Sequence, residues 1–425
     1  MAESRCDLLV IGAGPAGIAA AVTAVRNGAH VALYDMQAEP GGQIWRGEWC
    51  TRRDATAAHW MSALENSNVA MHLGRRLIAV DGRRAHFDGA AQSETIQFSG
   101  AVIATGAREL LLPFPGWTVP GVFGAGGLQA LAKNGWPISG KRVVVAGSGP
   151  LLLAAAASLR AYGADVRAVV EQASWSAVCG FAPALLRTRG KFAQALGLAT
   201  GLRGVPYCAT TQVVRAHGEK TLAAVTLRNA KREWQIDCDY LACGYGLVPN
   251  LDVAQAFGCA VREGTVFTDA DQRSSVAGIY CAGEGTGIGG VDQALAQGEI
   301  AGFAATGRAE LAVDARRRLA SAQRFAAALR KHFALGREVL NLAADDTVLC
   351  RCEDVSVGAA RACSSQREAK LHTRLGMGHC QGRVCGAAAS ALFGWSLPPP
   401  RLPLAPVRVG HLDLSFPPTE TSSSP

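Results

Sequence analysis

Apolar runs of strand length alternate with alanine-rich helical stretches along most of this chain, and glycine-rich turns join them. The first run, Cys6 to Ile11 (CDLLVI), leads into Gly12-Ala13-Gly14-Pro15-Ala16-Gly17 and an Ala-rich stretch to Asn27, a pattern that predicts strand, tight turn and helix. A second strand, His30 to Tyr34, ends at Asp35. The unit then repeats: Arg142 to Ala146, Gly147-Ser148-Gly149-Pro150-Leu151-Leu152, an Ala/Leu helix to Tyr162, and a strand from Val166 to Glu171. Further strands are predicted at Ala101 to Ile103, in short runs from Val213 to Asp239, and at Ile279 to Cys281, with a helix from Val291 to Ala304. Beyond them Leu319, Ala322, Ala326, Leu329 and Phe333 recur at helical spacing among Arg316, Arg317, Arg324, Arg330 and Lys331, which predicts an amphipathic connecting helix with a solvated basic face.

The first glycine turn has the chemistry of a dinucleotide site. Gly12 makes the turn, Gly14 lets a pyrophosphate approach the backbone, Pro15 and Ala16 open the helix, and Gly17 lets helix and strand pack closely. The helix N-terminus then faces the phosphates. Asp35, eighteen residues past Gly17, is placed to accept hydrogen bonds from an adenosine ribose. The second copy keeps Gly147 and Gly149 but has Leu152 in the third glycine position, where a bulky side chain pushes helix from strand. Glu171 favours a ribose hydroxyl and repels a 2′-phosphate, so a pyridine nucleotide here is expected to be NAD, and the other reading is a domain kept for architecture alone.

Composition sets the class. The chain has 425 residues, 49% of them hydrophobic and 18% charged, as in a soluble α/β enzyme of two or three domains. Its net charge of +8 is spread over many arginines, with no basic run interleaved with aromatics, which speaks against a nucleic-acid groove. Glycines interrupt the apolar stretch from Leu8 to Val25, which reads as strand, turn and helix rather than a signal peptide, and no run of about 20 apolar residues is present to span a bilayer. The default address is the cytoplasm. Cys6, Cys243 and Cys281 sit in apolar strand-like runs and read as buried thiols.

Near the C-terminus Cys350 and Cys352 are followed, after twenty-seven residues, by Cys380 and Cys385. Four thiols in a C-x-C plus C-x-x-x-x-C array point to an iron–sulfur site, with Cys₄ zinc as its rival and free thiols as a third reading. Glycines 376, 378, 382 and 386 would let backbone N–H groups approach such a centre, and Arg351, Arg374 and Arg383 would offset its negative charge. Cys363, in a polar stretch between the pairs, reads as structural, and a lone His379 does not make a Rieske site. From Ser396 onward the chain is rich in Pro and Ser, as expected of an arm over a neighbour or a disordered end.

In its glycine turn, Gly41-Gly42-Gln43, Ala104-Thr105-Gly106 and Gly283-Glu284, the chain resembles the two-dinucleotide-binding-domain flavoproteins. With the four cysteines, the order of motifs resembles the FAD and [2Fe-2S] alpha subunits of heteromeric opine oxidases and D-hydroxyproline or proline dehydrogenases, and the corresponding HcnB-type component of hydrogen cyanide synthase. The resemblance implies an α/β fold with a split, Rossmann-like FAD domain at 1–120 and 251–308 and an inserted NAD(P)-like domain at 121–250. Connecting helices at 309–345, a ferredoxin-like [2Fe-2S] domain at 346–395 and a tail at 396–425 complete that division. It implies FAD on Gly12, Gly14, Pro15, Ala16, Gly17, Asp35, Gly41, Gly42, Gln43, Thr105, Gly106, Gly283 and Glu284, the last where the family has Asp on the flavin ribityl chain. It further implies a cluster on Cys350, Cys352, Cys380 and Cys385, and a nucleotide on Gly147, Gly149 and Glu171 only if the inserted domain binds NAD.

The implied activity is oxidation of an amino acid or opine C–N bond within a heteromer. The substrate flavin belongs to an amino-acid-oxidase-like beta subunit, with room for a small gamma subunit and for FMN shared with a partner. Electrons pass through the second flavin and the cluster to an acceptor, the one route to contact with a membrane. No catalytic base is identified in this chain. Two other readings are a self-contained NADH-dependent flavin/iron–sulfur reductase of a ferredoxin-like partner, and a structural component that holds an adenine nucleotide without redox work.

Overall fold

A computed structural model describes residues 4–411 except residue 91, with Arg189 described by its backbone alone. The Ser4–Ile11 strand lies between Val31–Asp35 and Ser93–Ile103, parallel to both, with Leu9 opposite Ala32 on one side and Ala101 on the other. Leu8, Leu9 and Val10 are buried because helices or loops cover both faces of a parallel sheet, which explains an apolar run rather than an alternating one. Ala70–Leu73 extends this sheet beyond Val31–Asp35, and an antiparallel pair, Arg84–Asp88 and Arg76–Asp81, extends the other edge. Ile279–Cys281, far along the chain, also joins it, with Tyr280 opposite Val102.

The second sheet runs Tyr207–Cys208, Asp165–Glu171, Arg142–Gly147, Tyr240–Gly244, Val122–Gly124, all parallel. Gln212–His217, Ala224–Arg228 and Glu233–Asp237 form a separate antiparallel layer on it. Two short antiparallel strands, Ala107–Glu109 and Leu247–Pro249, carry the chain between the two folds, with Arg108 opposite Val248.

The helices Pro15–Arg26 and Val291–Ala305 pack backbone to backbone. A Cβ on Gly298 would fall 2.1 Å from the Ala16 carbonyl oxygen, so only glycine permits this approach. The Val313–His332 helix buries Ala315, Leu319 and Ala326 and follows the predicted apolar stripe. The cysteine-bearing module has its own small core of Leu349, Val357, Leu375 and Ala388. Trp117 ties it to the second fold by donating its indole N–H to the Val348 carbonyl at 2.6 Å.

The tail departs from expectation. Residues 396–411 turn back over the chain's own first sheet, where Leu404 is buried and donates its N–H to the Ile78 carbonyl, and His411 meets Asp88. A leucine amid prolines finds an apolar seat within the same chain, so this stretch is no arm over a neighbour. Residues 412–425 lie outside the described residues.

Candidate functional site

The segments carrying the first dinucleotide signature meet at one end of the first sheet. Gly12 has φ +107°, and a Cβ there would sit 2.3 Å from the Ala104 carbonyl oxygen. A Cβ on Gly17 would sit 1.7 Å from the Gly12 oxygen. Gly14, by contrast, has nothing closer than Gly42 Cα at 3.9 Å, so the turn keeps its approach to the helix that opens at Pro15 and Ala16. No side chain caps that helix, which leaves its first amides to an anion. Gly41 donates its N–H to the Ala13 carbonyl at 2.7 Å and thereby folds the Gly41-Gly42-Gln43 turn against the glycine loop.

Asp35 accepts N–H groups from Ala13 at 2.6 Å and Gln37 at 2.7 Å. Burial raises its pKa, and these two amides and the nearby Arg46 charge oppose the rise. Each oxygen keeps a further lone pair for a ribose hydroxyl. Arg46 was not singled out by sequence, because one arginine in a turn carries no pattern. Its Nη2 holds the Gln43 side chain at 2.8 Å, while its buried Nε has no hydrogen-bond partner among the described residues. An unpaired guanidinium N–H beside the acid and the phosphate-facing turn fits FAD, whose anionic pyrophosphate is its natural partner.

Gly283 adopts φ +82° against Ala16, and its N–H donates to the Gln297 side chain at 2.9 Å. Glu284 turns back on its own loop and accepts the Gly290 N–H at 2.8 Å and the Gly289 N–H at 3.3 Å. Its extra methylene permits this reach, and burial raises its pKa against those amides.

The second glycine turn is covered. Glu171, fully buried, accepts the Gly149 N–H at 2.6 Å and the Ala173 N–H at 2.8 Å. Phe333 lies 3.6 Å from where a Gly149 Cβ would be, and its carbonyl accepts from Ser148 Oγ at 2.9 Å. Gln172 fastens the same connector by donating to the Ala334 carbonyl and accepting the Gly336 N–H. Leu152, buried, fills the space beside Gly244 that a third glycine would have left open. The expected NAD seat of Gly147, Gly149 and Glu171 is thus occupied by the chain itself, because the residues after the connecting helix return across it.

The four module cysteines come together as two contacting pairs, Cys385 with Cys350 and Cys352 with Cys380, each pair within electrostatic reach of the other. Burial, then the neighbouring Cys350 and Cys380, pushes the Cys385 thiol up to about 12, and burial and the other thiols also raise Cys352. Among the described residues no three or more His, Cys, Asp or Glu side chains surround a single ion position. A two-iron core takes its thiolates two to each iron, and crowded thiols that resist ionisation are a donor set that an iron core would discharge. Gly378 leaves room for Cys352, whose Sγ would lie 2.9 Å from a Cβ there, and Gly376 and Gly382 have φ near +80°. The arginines are engaged elsewhere: Arg374 with Glu353 at 2.7 Å, Arg383 with Asp252 at 2.9 Å, and Arg351 over the Trp117 ring. Cys363 lies apart, its thiol directed to the Ala359 carbonyl.

One polar chain joins the flavin-side loop to the cysteine loop. Thr105 and Asn250 exchange hydrogen bonds at 3.0 and 2.9 Å, Asn250 Oδ1 accepts from Arg108 at 3.0 Å, and Arg108 Nε donates to the Arg383 carbonyl at 2.9 Å. Arg383 stands between Cys380 and Cys385.

Residues 6–317 match the family model described as pyridine nucleotide-disulphide oxidoreductase. The chain belongs to this family. It is 32% identical to an opine oxidase subunit of Rhizobium meliloti, over 92% of both chains. To hydrogen cyanide synthase subunit HcnB of Pseudomonas aeruginosa it is 31% identical, over 94% of this chain and 96% of that one. A crystal structure of L-proline dehydrogenase from P. horikoshii has the same fold, with a TM-score of 0.67 at 20% identity over 97% of this chain and 80% of that one. The chain is therefore a flavoprotein oxidoreductase related to opine oxidase and hydrogen cyanide synthase subunits.

Proposed function

We propose that this chain is the FAD- and [2Fe-2S]-containing electron-transfer subunit of a heteromeric dehydrogenase that oxidises the C–N bond of an amino acid or opine. The observation that carries the reading is the docking of the Cys380–Cys385 loop, through Arg383 and Arg108, onto the crossover beside Thr105 and Gly106. When bound, FAD would accept an electron pair and a cluster would pass electrons singly. Gly12, Gly14, Gly17, Asp35 and Arg46 bind the dinucleotide end, Gly283 and Glu284 shape the loop opposite, and Cys350, Cys352, Cys380 and Cys385 supply the thiolates.

Partner subunits fit because both relatives above are named as subunits of larger enzymes. The substrate-oxidising site is assigned to an amino-acid-oxidase-like beta subunit, since no acid, base or nucleophile among the described residues stands in an open pocket beside the flavin segments. D-hydroxyproline, proline and opines are the substrate classes proposed. The test is anaerobic purification with candidate partners, followed by visible and EPR spectra, metal analysis and identification of acid-released nucleotides. Iron with FAD supports the reading, and zinc without iron refutes it.

A further inference from the structure

The helices Trp175–Leu186 and Arg189–Gly201 form a hairpin that the flavin and cysteine sites do not use. The first helix has no charged residue, yet of its twelve residues only Phe181 is buried, and the second helix buries none of its side chains that are described. Trp175, Leu186, Phe192 and Leu196 are between 43% and 60% exposed. Trp175 touches Tyr207 with one edge and leaves the rest of its ring uncovered. So much outward apolar surface on consecutive helices marks a place that something covers.

The charge around it says what. No Asp or Glu stands from Gln172 through Gly218. Phe181 anchors the hairpin on the Val313–His332 helix, packing against Phe325 at 5.4 Å and Phe333 at 5.3 Å. That helix carries exposed Arg324 and Lys331 next in sequence to Phe325 and His332, the residues that meet the hairpin, and Arg187 is exposed at the hairpin's bend. Lys191 pairs with Asp292, the acid facing it from the flavin-side helix. Apolar side chains with Trp among them, flanked by cations and free of acids, are the composition of a surface that rests in the headgroup layer of an anionic bilayer. No helix among the described residues is long and apolar enough to cross a membrane, so the contact is peripheral.

We propose that the hairpin of residues 175–201 is a lipid-docking surface that seats this chain on an anionic phospholipid bilayer. The Lys191–Asp292 bridge places that surface beside the loop that Glu284 gathers. The proposal stands independently of the cofactor assignment, since it uses no residue of either site.

The test is co-sedimentation of the full chain, as purified, with phosphatidylcholine vesicles with and without phosphatidylglycerol. Binding is expected only with phosphatidylglycerol present, falling roughly 10-fold or more in a Trp175→Ser, Leu186→Ser, Leu196→Ser variant. It is expected to fall roughly 5-fold for each charge removed in Arg324→Gln, Lys331→Gln, and to weaken with salt. The substituted side chains are exposed, and far-UV circular dichroism confirms that the variants fold. Absence of vesicle binding, or binding that the hairpin variant leaves unchanged, overturns the proposal. A hairpin variant that loses a partner protein while keeping its lipid affinity also overturns it and assigns the face to protein.

Discussion

Arg108 Nε donates a hydrogen bond to the Arg383 carbonyl oxygen at 2.9 Å, joining the strand that leaves the first fold to the loop between Cys380 and Cys385. Two guanidinium groups stand close here. The arrangement holds because Arg383 turns its own charge to Asp252 and the Leu404 carbonyl, while Arg108 reaches Pro249 and Asn250. Burial lowers the Arg108 pKa, with Asp252 opposing, Arg383 adding to the fall and Cys380 opposing it. The cysteine loop is thus fixed to the crossover by backbone and side-chain bonds together.

Arg108→Met is expected to leave the Arg383 carbonyl and the Asn250 side chain unpaired, and to cost about 3 kcal/mol of stability. Urea unfolding measures the cost. Limited proteolysis should then cut near residue 345 sooner than in the parent chain, because the module has lost its anchor.

Cys380→Ser is expected to abolish iron retention while flavin content stays unchanged, and Cys363→Ser should alter neither. Iron analysis and the visible spectrum read both. Equal iron in the two variants would refute the ligand assignment.

Gly17→Ala places a Cβ 1.7 Å from the Gly12 carbonyl oxygen, so helix and strand must part. Flavin content after purification is expected to drop roughly 10-fold or more. Arg46→Met keeps the fold but removes the unpaired guanidinium, and flavin affinity should fall roughly 10-fold, measured by titrating the apoprotein with FAD.

NADH is expected to leave the flavin oxidised in anaerobic stopped-flow mixing, because Phe333 and Gln172 close the second glycine turn. Bleaching by NADH with no partner protein present would show that the connector gives way.

Glu171 is buried, and its pKa is raised from the ordinary 4.5 chiefly by that burial, against the amides of Ala173 and Gly149. The native state therefore binds this proton more tightly than the unfolded state, and stability from this group is lost as pH rises through the raised native value. Relative to Glu171→Gln, the parent chain should gain stability as pH falls from about 7 towards 5, read from urea midpoints.

Part of this was legible in the residues themselves. Local rules set the two strand–glycine–helix–strand units, since each glycine answers to a turn or a close approach within a few tens of residues. The paired cysteine spacings likewise marked a metal-type module. Contacts distant in sequence were not legible: Asn250 against Thr105, Phe333 over Gly149 and Leu404 on the first sheet. Nor was Arg46 beside Asp35, since nothing in the turn that carries it has a pattern of its own. Residue order alone settles which segments have nucleotide and thiol chemistry, because that chemistry depends on local backbone geometry and residue type. Which seat stays open, which one the chain fills itself, and where the cysteine loop docks are settled only once the chain has folded. Those outcomes depend on the return path of a connector whose residues have no special pattern until they meet their partners.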